Sequence, residues 1–313
     1  MNETRRQLLA AFAGGPATGP ALADELGVSR AAVWKQVEAL RDEGFEIEST
    51  DEGYAITAVP AYGAAAIEYE LAAPYTVEYH ESIGSTNDRA RELAGDGQRD
   101  IVVVADEQTG GRGRLARSWA SPPGGIWASA VLDPSLPAAH VPLVTLAAGV
   151  AVVDACRAVG VDATLKWPND VLVGDTDTER GGKKLAGILT EMEGEADRVS
   201  WLLVGIGLNA NIDADTLPAG ATSLQEQVGD VDRRQVLQTI LESLSTLVDN
   251  PETIIEQWRE YSSTLGQRVR VDTGREQIEG RAVDVQFPGA LVVDTDAGEE
   301  IVHAGDCEHL RPA

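Results

Sequence analysis

The hydrophobic and polar positions of the first sixty residues follow helical spacing and then the alternation of strands. Val33, Val37 and Leu40 stand at i, i+4 and i+7, the spacing of a buried helical stripe. A glycine follows each of three predicted helices, Thr4–Ala13, Pro20–Leu26 and Arg30–Glu43. Two alternating stretches come next and predict a hairpin, Phe45–Glu48 and Tyr54–Thr57. The segment is therefore predicted to be three helices and a two-stranded hairpin.

A longer central segment, which follows a linker at residues 58–61, mixes strands and helices. Its predicted strands are Tyr75–His80, Ile101–Ala105, Ile126–Leu132, Ala163–Trp167, Val171–Val173, Lys184–Met192 and Trp201–Leu208. Its predicted helices are Ser85–Ala94, Val141–Val159, Arg233–Val248 and Pro251–Thr264. Strands outnumber helices and do not alternate strictly with them, which favours an α+β fold with a mixed sheet over a doubly wound parallel sheet.

The end of the chain is predicted to contain only β-strands. Glycines separate four short strands, Arg268–Asp272, Ile278–Val285, Leu291–Val293 and Glu300–His303. A segment of this size and pattern is typical of a small SH3-like β-barrel. The predicted domains are therefore residues 1–60, 61–265 and 266–313.

The charge of the chain is unusual for an otherwise ordinary globular composition. The net charge is −26, and acidic residues are spread along the whole sequence. Only four lysines occur, and the other 21 basic residues are arginine. Such a composition is typical of proteins from cells that accumulate concentrated salt, where self-repulsion is screened and a hydrated acidic surface keeps the protein in solution. A basic ligand or partner is the alternative explanation.

Cysteine content and hydropathy predict a cytoplasmic protein with no membrane partner. Cys156 and Cys307 provide neither a disulfide framework nor the spacing of metal ligands, so no metal-binding residues are predicted. The first residues lead into a helix and lack the apolar region of a signal peptide. The longest apolar stretch, Val141–Ala155, contains Pro142 and Asp154 and is expected to be too short to span a bilayer.

The first segment resembles a winged helix-turn-helix, in which the third helix enters a DNA major groove. Four residues at the start and on the outer face of this helix are candidate DNA contacts, Ser29, Arg30, Ala31 and Lys35. Residues 1–58 hold five basic side chains against ten acidic ones, which weakens attraction to phosphates. DNA binding therefore competes with a role in packing or dimerisation.

Cationic side chains are concentrated in the central segment. Lys166, Lys183 and Lys184 lie within 19 consecutive residues, and Gly111-Arg112-Gly113-Arg114 precedes them. An ammonium suits an acyl or phosphate oxygen that shifts during a reaction, and glycines let a loop approach its ligand closely. Trp119 can stack on an aromatic ring such as a purine. Taken singly, each motif is also consistent with a solvated surface turn, but together they indicate a site for an anionic, activated acyl group.

A second group of residues suits a neutral ligand. Ser85, Thr86 and Asn87 precede a predicted helix, where hydroxyls and amides cap the backbone. The same side chains provide the donors and acceptors that a urea or amide headgroup requires. Gly187 lies within a predicted strand and leaves room for a ligand or a neighbouring backbone.

These motifs occur in the order seen in biotin protein ligases, and the chain resembles that family over nearly its whole length. The segments that carry the resemblance are Ser85–Asn87, Gln108, Gly111–Arg114 with Trp119, Lys166–Asp170, Lys184–Leu189, Gly205–Asn209 and Ala221–Leu224. The N-terminal segment is similar to that of the bifunctional biotin operon repressors, and the C-terminal segment to their last domain. The resemblance implies a central domain of the biotinyl/lipoyl ligase type, which is related to class II synthetases.

The resemblance also implies a reaction in two steps. Biotin attacks the α-phosphate of ATP to give biotinyl-5′-adenylate and pyrophosphate, and Mg²⁺ neutralises the leaving group. A lysine of a biotin carboxyl carrier protein, part of an acyl-CoA carboxylase, then takes the acyl group and releases AMP. Operator DNA and a second copy of the chain are further expected partners.

Site residues are carried over from the family by position. The biotin headgroup is expected to contact Ser85, Thr86, Asn87 and Gln108. The biotin carboxylate and the adenylate phosphate are expected to contact Arg112, Gly113, Arg114, Lys184 and Gly187. Lys166 and Asp170 are expected near the phosphates and the incoming amine, and Trp119 and Asn209 near the adenine or ribose. The expected catalytic residues are Lys184, Arg114, Lys166 and Asp170.

One residue departs from the family pattern, and two other functions compete with biotin ligation. Ala116 stands where the family often has glycine. The loop that contains Arg112 and Arg114, here called the arginine loop, is therefore expected to be stiffer or differently set. A lipoate or other acyl-protein ligase is one alternative, which the polar cluster around Ser85 disfavours because an alkyl-dithiolane needs few donors. The other is a ligand-sensing repressor without ligase activity.

Overall fold

The structure is a computed structural model that describes residues 3–132, 137–174, 181–195 and 198–310. Within these ranges an N-terminal helical unit with a two-stranded sheet is followed by a seven-stranded sheet with flanking helices and then by a five-stranded sheet. The predicted α+β class is confirmed.

The N-terminal unit has the elements expected from its hydrophobic spacing. Its helices and strands are α1 (Glu3–Ala13), α2 (Gly19–Leu26), α3 (Arg30–Asp42), β1 (Glu46–Thr50) and β2 (Gly53–Ala58). Ser29 caps α3, since its Oγ accepts a hydrogen bond of 3.2 Å from the Ala32 amide. The stripe Val33, Val37 and Leu40 is buried against α1 and α2, so the amphipathic pattern was interpreted correctly.

The central sheet is mixed. Its strands are β3 (Thr76–Ile83), β4 (Ile101–Gln108), β5 (Ile126–Leu132), β6 (Ala163–Lys166), β7 (Asp170–Val173), β8 (Lys183–Glu195) and β9 (Arg198–Leu208). Their order is β3-β4-β5-β9-β8-β7-β6, in which β3 and β4 are parallel and the other neighbours are antiparallel. Alternate residues of β4 pack on opposite faces, Val102 and Val104 in the main core and Ile101 and Val103 against the helix that contains Ala90 and Leu93.

The helices of the central segment are α4 (Ala64–Glu68), α5 (Thr86–Gly95), α6 (Val141–Ala158), α7 (Leu224–Val228), α8 (Arg233–Asp249) and α9 (Ile254–Tyr261). The helix predicted over Pro251–Thr264 is confirmed only over α9, because a 3₁₀ turn over Pro251–Thr253 precedes α9 and residues 262–264 are not helical. There the Ser263 amide donates to the Leu165 carbonyl at 2.8 Å, so this segment lies beside β6.

Helix α6 contains the apolar stretch that was expected to be too short to span a bilayer. Residues 138–158 form a helical stretch of 21 residues that is long and apolar enough to cross a bilayer, so the argument from length was wrong. Inside the protein 67% of an 18-residue window of this stretch is buried, where α6 packs against the sheet and α8. Its apolar character is thus accounted for by the core.

The C-terminal sheet is antiparallel and packs onto the central segment. Its strands are β10 (Arg268–Asp272), β11 (Gln277–Gln286), β12 (Ala290–Thr295), β13 (Gly298–Val302) and β14 (Asp306–His309), in the order β13-β12-β11-β10-β14. Strand β14 was not predicted. The indole N–H of Trp167 donates to the Gly289 carbonyl at 3.0 Å, and the buried residues of both segments form one hydrophobic cluster. This packing brings β14 beside the arginine loop.

Candidate active site

A cavity of about 300 Å³ lies over one face of the central sheet. Gly205 and Gly207 of β9 form part of its wall, and both positions require the absence of a side chain. A Cβ atom on Gly205 would lie 2.2 Å from Asn87 Oδ1, and one on Gly207 would lie 2.8 Å from Trp119 Nε1. The predicted residues that line the cavity are Ser85, Thr86, Asn87, Gln108, Arg112, Gly113, Arg114, Trp119, Asp170, Lys184, Gly187 and Asn209.

Hydroxyl and amide groups form a connected network at one end of the cavity. Ser85 caps α5, and the Thr86 amide donates to Gln108 Oε1 at 2.8 Å. Ser129 is fully buried on β5, donates to Asn87 Oδ1 at 2.5 Å and lies 2.7 Å from Thr86 Oγ1. Sequence reasoning missed Ser129, because a single serine in an apolar strand carries no signal of its own. The network holds neutral donors and acceptors in fixed positions beside the cavity.

The arginine loop is attached to two other parts of the molecule. Arg112 forms an ion pair with Asp88 of α5. Arg114 donates to Asn169 Oδ1 at 2.9 Å and to the Gly305 carbonyl at 3.0 Å, and Asp306 of β14 lies 3.7 Å from its guanidinium. Both predicted arginines therefore reach the cavity, and each already has an oxygen partner.

The same loop contains two residues with left-handed backbone. Leu115 has φ of +54° and Ala116 has φ of +55°, a conformation that costs a residue with a side chain roughly 1 kcal/mol or more. Glycine would adopt the backbone conformation of position 116 more easily than alanine does. That this loop is stiffer or differently set than in the family stays a prediction.

Lys184, Asp170 and Trp119 meet at the other end of the cavity. The Lys184 ammonium lies 2.6 Å from Asp170 Oδ1 and 5.0 Å from the centre of the Trp119 ring. The Trp119 Nε1–H is buried and has no hydrogen-bond partner among the described residues. An unpaired buried donor beside a cation is unfavourable in the empty protein, and an acceptor on a ligand would satisfy it.

Among the residues predicted to bind biotin or ATP or to act in catalysis, only Lys166 does not line this cavity. Its ammonium lies near β14, where it acts on two buried side chains. Burial raises the pKa of the Cys307 thiol to about 12, which the Lys166 charge partly offsets. Burial, with a smaller contribution from Lys166, lowers the pKa of His309 to about 4. The structure thus brings Lys166 to the junction with the C-terminal sheet.

A loop over residues 217–221 closes the side of the cavity near Lys184, and sequence reasoning did not identify it as a lining segment. The Lys184 amide donates to the Gly220 carbonyl at 2.8 Å. Asn209 is buried and donates through Nδ2 to the Thr222 carbonyl at 2.9 Å. Asn209 therefore also holds the backbone of this loop. The loop has no polar side chain that would have marked it.

The candidate DNA contacts belong to the N-terminal unit and do not line this cavity. Ser29, Arg30, Ala31 and Lys35 are all exposed along α3. Trp34, which was not predicted to have a function, is exposed beside them.

Three family models match successive parts of the chain. They are an HTH domain over residues 4–55, the biotin/lipoate A/B protein ligase family over residues 79–209, and the biotin protein ligase C-terminal domain over residues 264–310. The bifunctional ligase/repressor BirA of Bacillus subtilis is 36% identical over 315 residues, which cover 93% of each chain. This chain belongs to the biotin protein ligase family.

Other members of the family are similar over its catalytic part. The biotin–[acetyl-CoA-carboxylase] ligase of Mycobacterium tuberculosis is 34% identical over 73% of this chain and 86% of its own length. A solved structure of the biotin protein ligase from Aquifex aeolicus, in complex with biotin and ATP, matches with a TM-score of 0.61 and 29% identity. It covers 75% of this chain and 99% of that one.

Proposed function

We propose that this protein is an ATP-dependent biotin protein ligase that also acts as a biotin-responsive transcriptional repressor. The observation that carries the ligase assignment is a single cavity with a neutral polar network at one end and Arg114 and Lys184 at the other. The similarity to a bifunctional ligase/repressor over 93% of the chain supports both activities.

The polar network is the proposed binding site for the biotin headgroup. Ser85, Thr86, Asn87 and Gln108 line the cavity, and their hydroxyl and amide groups match the donors and acceptors of a urea ring. Ser129 holds Asn87 through its hydroxyl. A lipoate headgroup has no urea-like donors and acceptors to match this network, which disfavours a lipoate ligase.

The cationic end is the proposed site of adenylate formation. Arg112 and Arg114 bind the biotin carboxylate and the α-phosphate, with Gly113 between them and Gly187 leaving space across the cavity. Lys184 stabilises the charge that develops as the carboxylate oxygen attacks phosphorus and pyrophosphate leaves. These groups lie in a partly enclosed cavity, where exclusion of water slows hydrolysis of the resulting anhydride.

Trp119 and Asn209 are proposed to contact the adenine or ribose. The unpaired Trp119 Nε1–H supports this role, because a ligand acceptor would satisfy it. Asp170 is proposed to act near the phosphates and the incoming amine. Lys166 lies outside the cavity, so we propose that it acts through the junction with β14 and does not touch substrate.

Mg²⁺ is the expected cation for this use of ATP. Mg²⁺ is usually bound through one or two carboxylates and substrate phosphates and keeps several waters. The Asp170 carboxylate lines the cavity next to Lys184 and fits this role. The ion would neutralise the pyrophosphate leaving group.

The acyl acceptor is proposed to be a lysine of a biotin carboxyl carrier domain in an acyl-CoA carboxylase. The name of the Mycobacterium tuberculosis relative supports this partner. Operator DNA is proposed to bind α3 through Ser29, Arg30, Ala31 and Lys35, and the protein is proposed to form a homodimer as a repressor. The match to an HTH domain supports the DNA-binding part.

The remaining proposals concern the domain boundaries, the cellular location and the source organism. We propose domains at residues 1–60, 61–265 and 266–313, of which the last closes as an SH3-like barrel. The use of ATP supports a cytoplasmic location. The net charge of −26 and the scarcity of lysine support an origin in a halophile.

The ligase assignment is tested by following the adenylate directly. Incubation with biotin, ATP and MgCl₂ in concentrated KCl should produce bound biotinyl-adenylate by mass spectrometry, and a carrier domain should then acquire biotin. Lys184→Gln should slow adenylate formation roughly 100-fold, by loss of one charge-stabilising donor. Lys183→Gln is the matched control, since Lys183 pairs with Glu226 at 2.8 Å and does not line the cavity. A folded wild-type protein that forms no adenylate would refute the assignment.

A further inference from the structure

The outer face of α3 carries a large aromatic side chain that the ligase site does not use. Trp34 exposes 57% of its surface, although indoles of folded proteins are usually well covered. The helix does not need Trp34 for its packing, because Val33, Val37 and Leu40 already bury its inner stripe. An exposed indole with no structural role is typical of a binding surface.

The free positive charge of the N-terminal unit lies on the same helix. Arg5 pairs with Glu43, and Arg41 pairs with Glu38 and donates to the Ile47 carbonyl. By contrast, the side chains of Arg30 and Lys35 make no ion pair or hydrogen bond within the ranges that the structure describes. These two exposed cations flank Trp34 along α3. Although the unit as a whole is acidic, this face therefore offers cations to a negatively charged partner.

We propose that Trp34 contacts DNA bases in the major groove and supplies binding energy that does not depend on phosphate neutralisation. The proposal rests on the repressor part of the proposed function. Apolar side chains in the major groove contact the thymine methyl group, and the indole N–H can donate to a base acceptor. The position agrees with the docking of such folds, in which residues near the start of the third helix reach the base edges.

Because the N-terminal unit offers few free cations, binding energy that does not depend on phosphate neutralisation is important for this chain. Each neutralised phosphate contributes about −0.9 to the slope of log K against log salt, so two free cations predict a slope of about −2 per protomer. Affinity from so few phosphate contacts is small and falls further in concentrated salt. An apolar contact is not screened by salt, so Trp34 would maintain binding where charges cannot.

The experiment compares variants across salt concentrations. The probe is a duplex that the wild-type protein enriches from a random DNA pool in the presence of biotin and ATP. Its affinity is measured by fluorescence anisotropy from 0.1 to 1 M KCl. Trp34→Ala should weaken binding about tenfold at every salt concentration and leave the slope unchanged. Lys35→Gln should instead reduce the magnitude of the slope by about 1.

Two controls make the result specific. Phe287→Ala removes an aromatic side chain of similar exposure, 59%, from the turn between β11 and β12 and should not change DNA binding. Biotin transfer by Trp34→Ala should equal that of the wild type, which shows that the variant is folded.

The outcomes separate this inference from the function on which it rests. Wild-type affinity in Trp34→Ala would refute the role of Trp34 and leave the repressor function standing. A change in sedimentation of Trp34→Ala, with DNA affinity unchanged, would assign the face to protein contacts and also refute it. If the wild type enriches no duplex, the repressor function itself fails.

Discussion

Each cation that is proposed to bind the adenylate already has an anionic or carbonyl partner in the protein. Lys184 lies 2.6 Å from Asp170, Arg112 pairs with Asp88, and Arg114 contacts Asn169, Gly305 and Asp306. When the adenylate binds, its oxygens must therefore replace the protein oxygens that these cations contact. The net affinity is the difference between the free energies of these two sets of contacts, so residues such as Asp170 and Asp306 matter as much as the cations themselves.

Replacement of Arg114 should shorten the lifetime of the adenylate. Arg114→Ala removes a cation next to the phosphate, and a charge-assisted hydrogen bond contributes about 1.5–3 kcal/mol, so dissociation should be roughly ten to a hundred times faster. The rate is measured by chasing labelled adenylate with unlabelled ligand. Arg270→Ala, which removes a surface ion pair with Glu279 in the C-terminal sheet, is the control. An unchanged rate in Arg114→Ala would contradict its proposed contact with the phosphate.

Glycine at position 116 should stabilise the fold. Ala116 has φ of +55°, so Ala116→Gly relieves left-handed strain, and the free energy of unfolding should rise by about 0.5–1 kcal/mol after the entropic cost of glycine. Ala39→Gly, within the helix α3, should instead lose about 1 kcal/mol. Both values come from urea denaturation followed by circular dichroism. A loss of stability in Ala116→Gly would show that the loop does not store this strain.

At the scale of elements, the parts that could be predicted are those with a strong hydrophobic signal. The stripe of α3 was found because its apolar residues recur at helical spacing, and β4, β5 and β9 were found because they are continuous apolar runs. Helices α4 and α7 have five residues each, too few to show a period. Strand β14 is mostly polar and becomes a strand through pairing with β10. The position of Lys166 depends on that pairing and could not be predicted locally.

The buried histidine of β14 predicts a dependence of stability on pH. His309 is buried beside Thr264 and near Lys166, and burial lowers its pKa from 6.5 to about 4. Below pH 6.5 the unfolded chain binds a proton that the folded protein does not, so the stability from neutral His309 is lost as the pH falls from 6.5 to about 4.

The measurement compares the wild type with His309→Leu at each pH in this range. The difference in melting temperature between the two proteins should shrink as the pH falls, because the variant lacks the titrating group. His303→Asn, at an exposed position of the same domain, should follow the wild type. A difference that stays constant from pH 6.5 to 4 would contradict a buried, neutral His309.

At the scale of the whole molecule, one continuous core joins the central and C-terminal segments, while the N-terminal unit has its own. Helix α4 connects them, since Ala65 packs in the N-terminal core and Ile67 in the larger one. Gln238 of α8 donates to the Ile67 and Tyr69 carbonyls at 2.9 and 2.7 Å, which fixes α4 on the central domain. The N-terminal unit is therefore attached through a short packed helix instead of a free linker.

The net charge of −26 predicts that salt stabilises the folded protein. Repulsion among surface carboxylates opposes the compact state, and a Debye length of about 3 Å at 1 M salt removes most of it, against about 10 Å at 0.1 M. The melting temperature should rise by on the order of 10 °C between 0.1 and 2 M KCl, equivalent to a few kcal/mol for a protein of this size. Sucrose at matched osmolality is the control, because it strengthens burial without screening charge. An equal rise in sucrose, or a fall in KCl, would show that self-repulsion is not what the salt relieves and would favour a basic partner as the reason for the acidic surface.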